Sequence, residues 1–104
     1  MDGSAQAPLR LRLYVSAGTP EATQVEGNLR RLFEEVGLRY EVEVLDVREH
    51  AADAERDRVM LTPTLIRLTP PELRVAGDLS DLEAALDGLG LRVWEQRYNG
   101  PVGG

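Results

Sequence analysis

The chain contains no cysteine and no lysine, and it has a single histidine, His50. Without cysteine, disulfides, thiolate metal sites and every form of thiol redox chemistry are excluded. With one histidine, a histidine metal cluster or a Ser-His-Asp relay has little to draw on. No apolar run approaches the roughly 20 residues that a membrane span needs. The opening Met1-Asp2-Gly3-Ser4 has neither the basic lead nor the apolar core of a secretory signal, so a cytoplasmic location is the default expectation. A formal net charge of −6 argues against general nucleic-acid binding, which works through a cationic surface. All 12 basic residues are arginine, whose rigid donor fork suits carboxylates and phosphates. Codon bias in a GC-rich genome is the plainer reading of that count.

What is present is enough for one small domain: 104 residues, 42% hydrophobic and 29% charged, are the proportions of an ordinary soluble globular protein. The pattern predicts that domain over residues 9–93, with a flexible N-terminus over 1–8 and a flexible tail over 94–104. Leu9, Leu11, Leu13 and Val15 alternate with Arg10, Arg12 and Tyr14, a strand with one strongly apolar face. Thr19 is placed as an N-cap with Pro20 at the first helical position. The helix that follows carries a buried stripe of Val25, Leu29, Leu32, Phe33 and Val36, and Gly37 stops it. Gly27, in mid-helix, suggests close packing against a neighbour.

Tyr40–Val47 reads as a second strand with Glu41 and Glu43 on a charged face. Glu49–Met60 reads as a helix on composition, with a thin stripe of Ala51, Ala52, Ala54 and Val59. Pro63 opens a third strand over Thr64–Leu68, Pro70-Pro71 turns the chain, and Leu73–Ala76 is the fourth. Ser80-Asp81-Leu82-Glu83 has the form of a capping box, with Leu79 and Ala84 as its hydrophobic staple. Leu82, Ala85, Leu86 and Leu89 form the stripe of the last helix, and Gly90 suits its C-cap.

The order is βαβαββα. A strand-helix-strand unit implies a parallel pair, and the short Pro-Pro connection implies an antiparallel hairpin. The predicted architecture is therefore α/β: a four-stranded mixed sheet with three helices. The same element order resembles a thioredoxin-like core, and that resemblance implies the strand order 2-1-3-4. Tyr40–Val47 lies at one edge, where Glu41 and Glu43 guard against aggregation.

No catalytic constellation stands out. Asp53 and Asp57 share a helix face at i, i+4, but Arg56 and Arg58 are near enough to neutralise them, which makes a solvated face the plain reading. His50 flanks the second helix on the surface. Gly77-Asp78 lacks the spaced glycines of a nucleotide-binding motif and reads as a turn feeding Ser80. Neither a cofactor nor a metal is expected.

The stretch LTPTLIRLTPPELRVAGDLSDLEAAL, Leu61 to Leu86, joined to Leu11-Arg12-Leu13-Tyr14-Val15, Gly18-Thr19-Pro20 and Val42–Val47, resembles the KaiB family of circadian-clock proteins. The resemblance covers about Leu11 to Leu91. It implies a thioredoxin-like fold in which Ser16-Ala17-Gly18-Thr19 stands where thioredoxins carry Cys-x-x-Cys. It also sets Thr62-Pro63 at the position of the cis-proline.

For function, the resemblance implies a non-catalytic binding module that docks on a KaiC-type ATPase ring, with a KaiA-like protein or a histidine kinase as further partners. Family members occupy a tetrameric ground-state fold or switch their C-terminal half, here about Arg48 to Val93, into a monomeric thioredoxin-like fold. The partner-facing residues would then be Arg56, Arg58, Arg67 and Arg74, with Glu41 and Glu43 offering a strand edge. The residues that shape or switch that half would be Thr62, Pro63, Pro70, Pro71, Gly77, Asp78, Ser80, Gly88 and Gly90.

The sequence also departs from the family. Pro70 and Pro71 are adjacent where the family spaces its prolines as Pro-x-Pro, and Gly90 replaces an acidic residue. The Ser80 cap favours the thioredoxin-like form, without the switch. Two other readings stay open: the sensor domain of a SasA-like histidine kinase, and a cysteine-free enzyme or glutathione binder using Ser16. A homodimer or tetramer is compatible with the pattern, which does not specify one.

Overall fold

A computed structural model describes residues 8–91. The expected flexible N-terminus and tail fall largely on 1–7 and 92–104, outside the described residues, as does the predicted domain end at Val93. The elements are β1 (Leu9–Val15), α1 (Pro20–Val36), β2 (Tyr40–Asp46), α2 (Ala51–Arg56), β3 (Thr64–Arg67), β4 (Leu73–Ala76) and α3 (Leu82–Gly88). The sheet order is β2-β1-β3-β4, with β1–β2 parallel and the other two pairs antiparallel; the helical β1–β2 connection suits a parallel pair and the short β3–β4 connection a hairpin.

Alternation along β1 sends Leu11, Leu13 and Val15 to one side of the sheet, where α1 and α3 cover them with Val25, Leu29, Phe33, Leu82, Leu86 and Leu89. The Phe33 ring lies 4.9 Å from that of Tyr40 and ties α1 to the start of β2. Thr19 caps α1 through its side chain, which accepts from the Ala22 N–H. Gly37, at φ +71°, takes the left-handed turn that ends it, a conformation a side chain would strain. Gly27 is exposed with no atom near the position of a Cβ, so the expected close packing is absent. The Val36 side chain lies outside what the structure describes.

Three local readings need correction. Helix α2 spans six residues, not the predicted Glu49–Met60, and Arg58 at φ +56° turns the chain away from it. Only Ala54 of its alanines is buried, so composition overstated a helix that burial does not support. Helix α3 begins at Leu82, and its cap is Asp81, whose carboxylate accepts from the Ala84 N–H at 3.1 Å. Ser80 instead gives its N–H to Asp78 Oδ1, and Ala84 is exposed, so neither capping box nor staple forms. The competing Asx turn at Asp78 moves the helix start by one residue. The stripe of α3 is buried as expected, and Gly90, at φ +77°, follows the Leu89 cap.

The second face of the sheet holds the largest surprise. Tyr14 is fully buried, and with Leu45, Ala54 and Ile66 it forms a smaller core beneath α2. The sheet is therefore apolar on both sides at its centre.

Candidate protein-docking face

Because α2 is short, much of the second sheet face is closed by polar side chains. Tyr14 donates its hydroxyl to Asp57 Oδ2 at 2.6 Å, and Arg12 donates to the same oxygen at 3.0 Å. Arg12 also reaches Glu43 at 2.9 Å, and outside it Arg10 pairs with Glu41 at 3.7 Å. Asp57 was expected on a solvated face beside Arg56. Its side chain is instead only 19% exposed, because the chain reverses just past α2 and turns it under the sheet.

Burial by itself would raise the Asp57 carboxyl, but the hydrogen bonds from Tyr14 and Arg12 outweigh it and hold it below the usual carboxylate range. The same burial, aided by the adjacent carboxylate, pushes the Tyr14 phenol up to about 12. The hydrogen bond to Glu43 holds Arg12 firmly in its charged form against the opposing effect of burial. Arg56 pairs with Asp53, whose carboxyl is lowered chiefly by that contact, and His50 Nδ1 lies 3.4 Å from Asp53.

Beyond α2 the chain exposes two large apolar side chains, Met60 at 87% and Leu61 at 49%. They follow Arg58 and precede the Thr62–Pro63 bond, which is cis, as is Pro70–Pro71. Arg74, on β4 opposite Ile66, reaches over the same side and donates to the Arg58 carbonyl at 3.4 Å. Three of the four candidate arginines, Arg56, Arg58 and Arg74, thus share the α2 side with an exposed Met-Leu pair. Nothing in the helical or strand periodicity drew attention to Met60 and Leu61. The available signal was two large apolar residues outside any buried stripe.

Arg67 lies on the opposite face and is spent internally. Its guanidinium donates to the carbonyls of Thr69, Leu89 and Pro70 at 3.0, 2.9 and 3.1 Å. It clips the end of β3 to the Pro-Pro turn and to the C-terminus of α3. Glu41 and Glu43 line the β2 edge, paired as above. Gly77, at φ +102°, lies against Leu61, and Gly88 lies against Val75.

Where thioredoxins carry their cysteines there is a small pocket of about 120 Å³ between Ser16, Thr19, Glu21, Thr62 and Pro63. The Ser16 and Thr62 hydroxyls are hydrogen-bonded to each other at 3.1 Å, and no histidine lines the pocket. A larger open cleft of about 480 Å³ lies between α1 and the start of α3, over Asn28, Arg31 and Asp81. Among the described residues, no group of three or more His, Cys, Asp or Glu is placed to hold a metal. No helix among them is long and apolar enough to cross a membrane.

The KaiB domain family matches residues 12–91. The chain belongs to the KaiB family. It is 42% identical over 81 residues to the circadian clock protein KaiB3 of Synechocystis sp., covering 76% of this chain and 79% of that protein. It is 39% identical over 95 residues to the circadian clock oscillator protein KaiB of Prochlorococcus marinus, covering 86% and 90%. Among solved structures, the N-terminal domain of Synechococcus elongatus SasA superposes with a TM-score of 0.68 at 23% identity, over 91% of this chain and 92% of that one. The Drosophila melanogaster thioredoxin Deadhead superposes with a TM-score of 0.63 at 21% identity, over 83% and 85%. At those identities the likeness is one of fold, and it establishes the thioredoxin-like architecture of this KaiB-family chain.

Proposed function

We propose that this chain is a non-catalytic component of a circadian clock or related signalling system, working in the cytoplasm by docking on a KaiC-type ATPase ring. The observation that carries the reading is family membership over nearly the whole described fold, combined with an exposed apolar pair inside an arginine frame. Met60 and Leu61 supply desolvation energy. Arg58 and Arg74, with Arg56 held by Asp53, supply guanidinium donors beside that pair. The pocket at the thioredoxin catalytic position supports the same reading, since its Ser16, Thr19 and Thr62 hydroxyls are all hydrogen-bonded within the protein and no thiol lines it.

In this proposal Arg67 contributes by holding the fold, and the β2 edge with Glu41 and Glu43 is the second contact surface, for a KaiA-like protein or a kinase. The chain acts in the thioredoxin-like arrangement described above, without a second fold. NMR exchange spectroscopy tests that part, and a populated state in which α3 is replaced by a strand would contradict it. Binding to a purified KaiC-family ATPase tests the docking surface. Met60→Asp, a change at an exposed position, is expected to weaken binding at least tenfold with no loss of stability, and unchanged binding would remove this face from the proposal.

A further inference from the structure

The two edges of the sheet are built differently. On β2, Glu41 and Glu43 sit on one face, so a second β2 laid antiparallel about Val42 would set Glu41 against Glu43. One laid about Glu43 would set that carboxylate against itself. Self-pairing there is opposed by charge.

Strand β4 carries no such guard. The Gly77 N–H donates to the Pro63 carbonyl at 2.9 Å, and the register Leu65↔Val75 and Arg67↔Leu73 continues that phase. Residues 73 and 75 therefore spend their backbone groups on β3, while Arg74 and Ala76, and Glu72 in continuation, turn theirs outward. Leu73, Arg74 and Ala76 are all exposed, Leu73 at 38%. Among the described residues, Glu72 is exposed and without an ion pair, and Arg74 makes its long contact to a carbonyl and no ion pair.

This edge is complementary to itself. An antiparallel copy laid about a two-fold axis at Leu73 puts Leu73 opposite Leu73 as a non-hydrogen-bonded pair, where side chains approach most closely. Glu72 then stands opposite Arg74 on both sides of the axis. Each Glu72–Arg74 pair exchanges two backbone hydrogen bonds and sets opposite charges across the strands. Pro71 falls at a position that needs no outward N–H.

We propose that β4 is a homodimerisation edge, pairing antiparallel with β4 of a second copy about Leu73 to give one continuous sheet through both molecules. The ladder is short, so the dimer belongs to the weak class of interfaces that bury less than about 1,200 Å². The inference does not rest on the docking proposal. Because Arg74 belongs to both surfaces, the dimer and the docked complex compete for it.

The test is analytical ultracentrifugation from about 10 µM to about 1 mM, a range that covers weak association. Glu72→Arg and Arg74→Glu are each expected to weaken the dimer about tenfold by setting like charges across the strands, and the double reversal E72R/R74E to restore it. Leu73→Cys introduces the sole cysteine of the chain at a pair whose ~4.5 Å Cα separation suits a disulfide. Mild oxidation is expected to yield one crosslinked dimer with the circular dichroism of the folded protein. A wild-type chain monomeric throughout that range would overturn the proposal. So would a dimer indifferent to both single reversals, or a self-associating sample in which Leu73→Cys does not crosslink.

Discussion

The Tyr14 hydroxyl and the Asp57 carboxylate, 43 positions apart in the chain, meet at 2.6 Å beneath the second face of the sheet. Tyr14 is wholly buried in the small core, and Asp57 supplies the partner that its hydroxyl needs there. Since α2 buries a single alanine, this contact, with Arg12 on the same oxygen, does much of the work of holding the α2 segment to the sheet. Asp57→Ala is expected to cost about 2–3 kcal/mol, since it leaves the buried Tyr14 hydroxyl unsatisfied and the Arg12 guanidinium with Glu43 as its remaining carboxylate. Tyr14→Phe is expected to cost about 1–2 kcal/mol. Urea unfolding of the two single variants and the double variant should show a coupling energy between 0.5 and 3 kcal/mol, roughly the range for residues in contact.

The same pair makes stability depend on pH in two windows. Asp57 has a folded-state pKa below its ordinary value of 3.8, so its contribution is complete above that pH and is lost as pH falls through the lower folded value. Tyr14 has its folded-state pKa raised from 10.0 to about 12, so its contribution is complete below pH 10 and is lost as pH rises from 10 toward 12. The urea midpoint of the wild-type chain should therefore fall more steeply above pH 10 than that of Tyr14→Phe. Parallel curves would contradict the assignment.

Arg67 is expected to behave as a structural residue. Its fork serves three carbonyls in two separate segments, a geometry the single ammonium of lysine does not reproduce. Arg67→Ala should lose about 1–3 kcal/mol, and Arg67→Lys should recover less than half of it, read from thermal or urea unfolding. Loss of partner binding in an Arg67 variant is then to be judged only beside its stability.

The start of α3 offers a sharper comparison between neighbouring residues. Asp81→Ala removes the cap on Ala84 and should cost about 1 kcal/mol. Ser80→Ala removes an exposed side chain that does not cap the helix and should stay within about 0.5 kcal/mol. The reverse order, measured by urea unfolding, would reinstate Ser80 as the cap.

Much of this fold is readable in the chain because its signals are local. The Thr19-Pro20 entry, the Val25-Leu29-Phe33 stripe, the stop at Gly37 and the alternation through β1 each depend on a few adjacent residues, and the strand order follows from the resemblance of the element order to a thioredoxin-like core. The second face was harder to read because it depends on contacts between distant positions. Tyr14 looks like the polar side of a one-faced strand until Asp57 is brought to it, and Asp57 looks solvated until the chain turns back after Arg56. Of the candidate arginines, residue type alone did not separate Arg67, which points to the α3 side, from Arg74, which points to the α2 side. Strand parity on β3 and β4 is what divides them. Met60 and Leu61 carried no periodic signal, because exposed side chains take no place in the molecule's own core.

The most direct test of the docking proposal is titration of a purified KaiC-family ATPase from the same cells, with ATP and with ADP, using the wild-type chain and the Met60→Asp and Arg58→Glu variants. The account predicts nucleotide-dependent binding that both variants weaken while their unfolding midpoints stay close to wild type. Absence of binding in either nucleotide by a well-folded wild-type chain would contradict it, leaving family and fold in place and the partner to be found elsewhere.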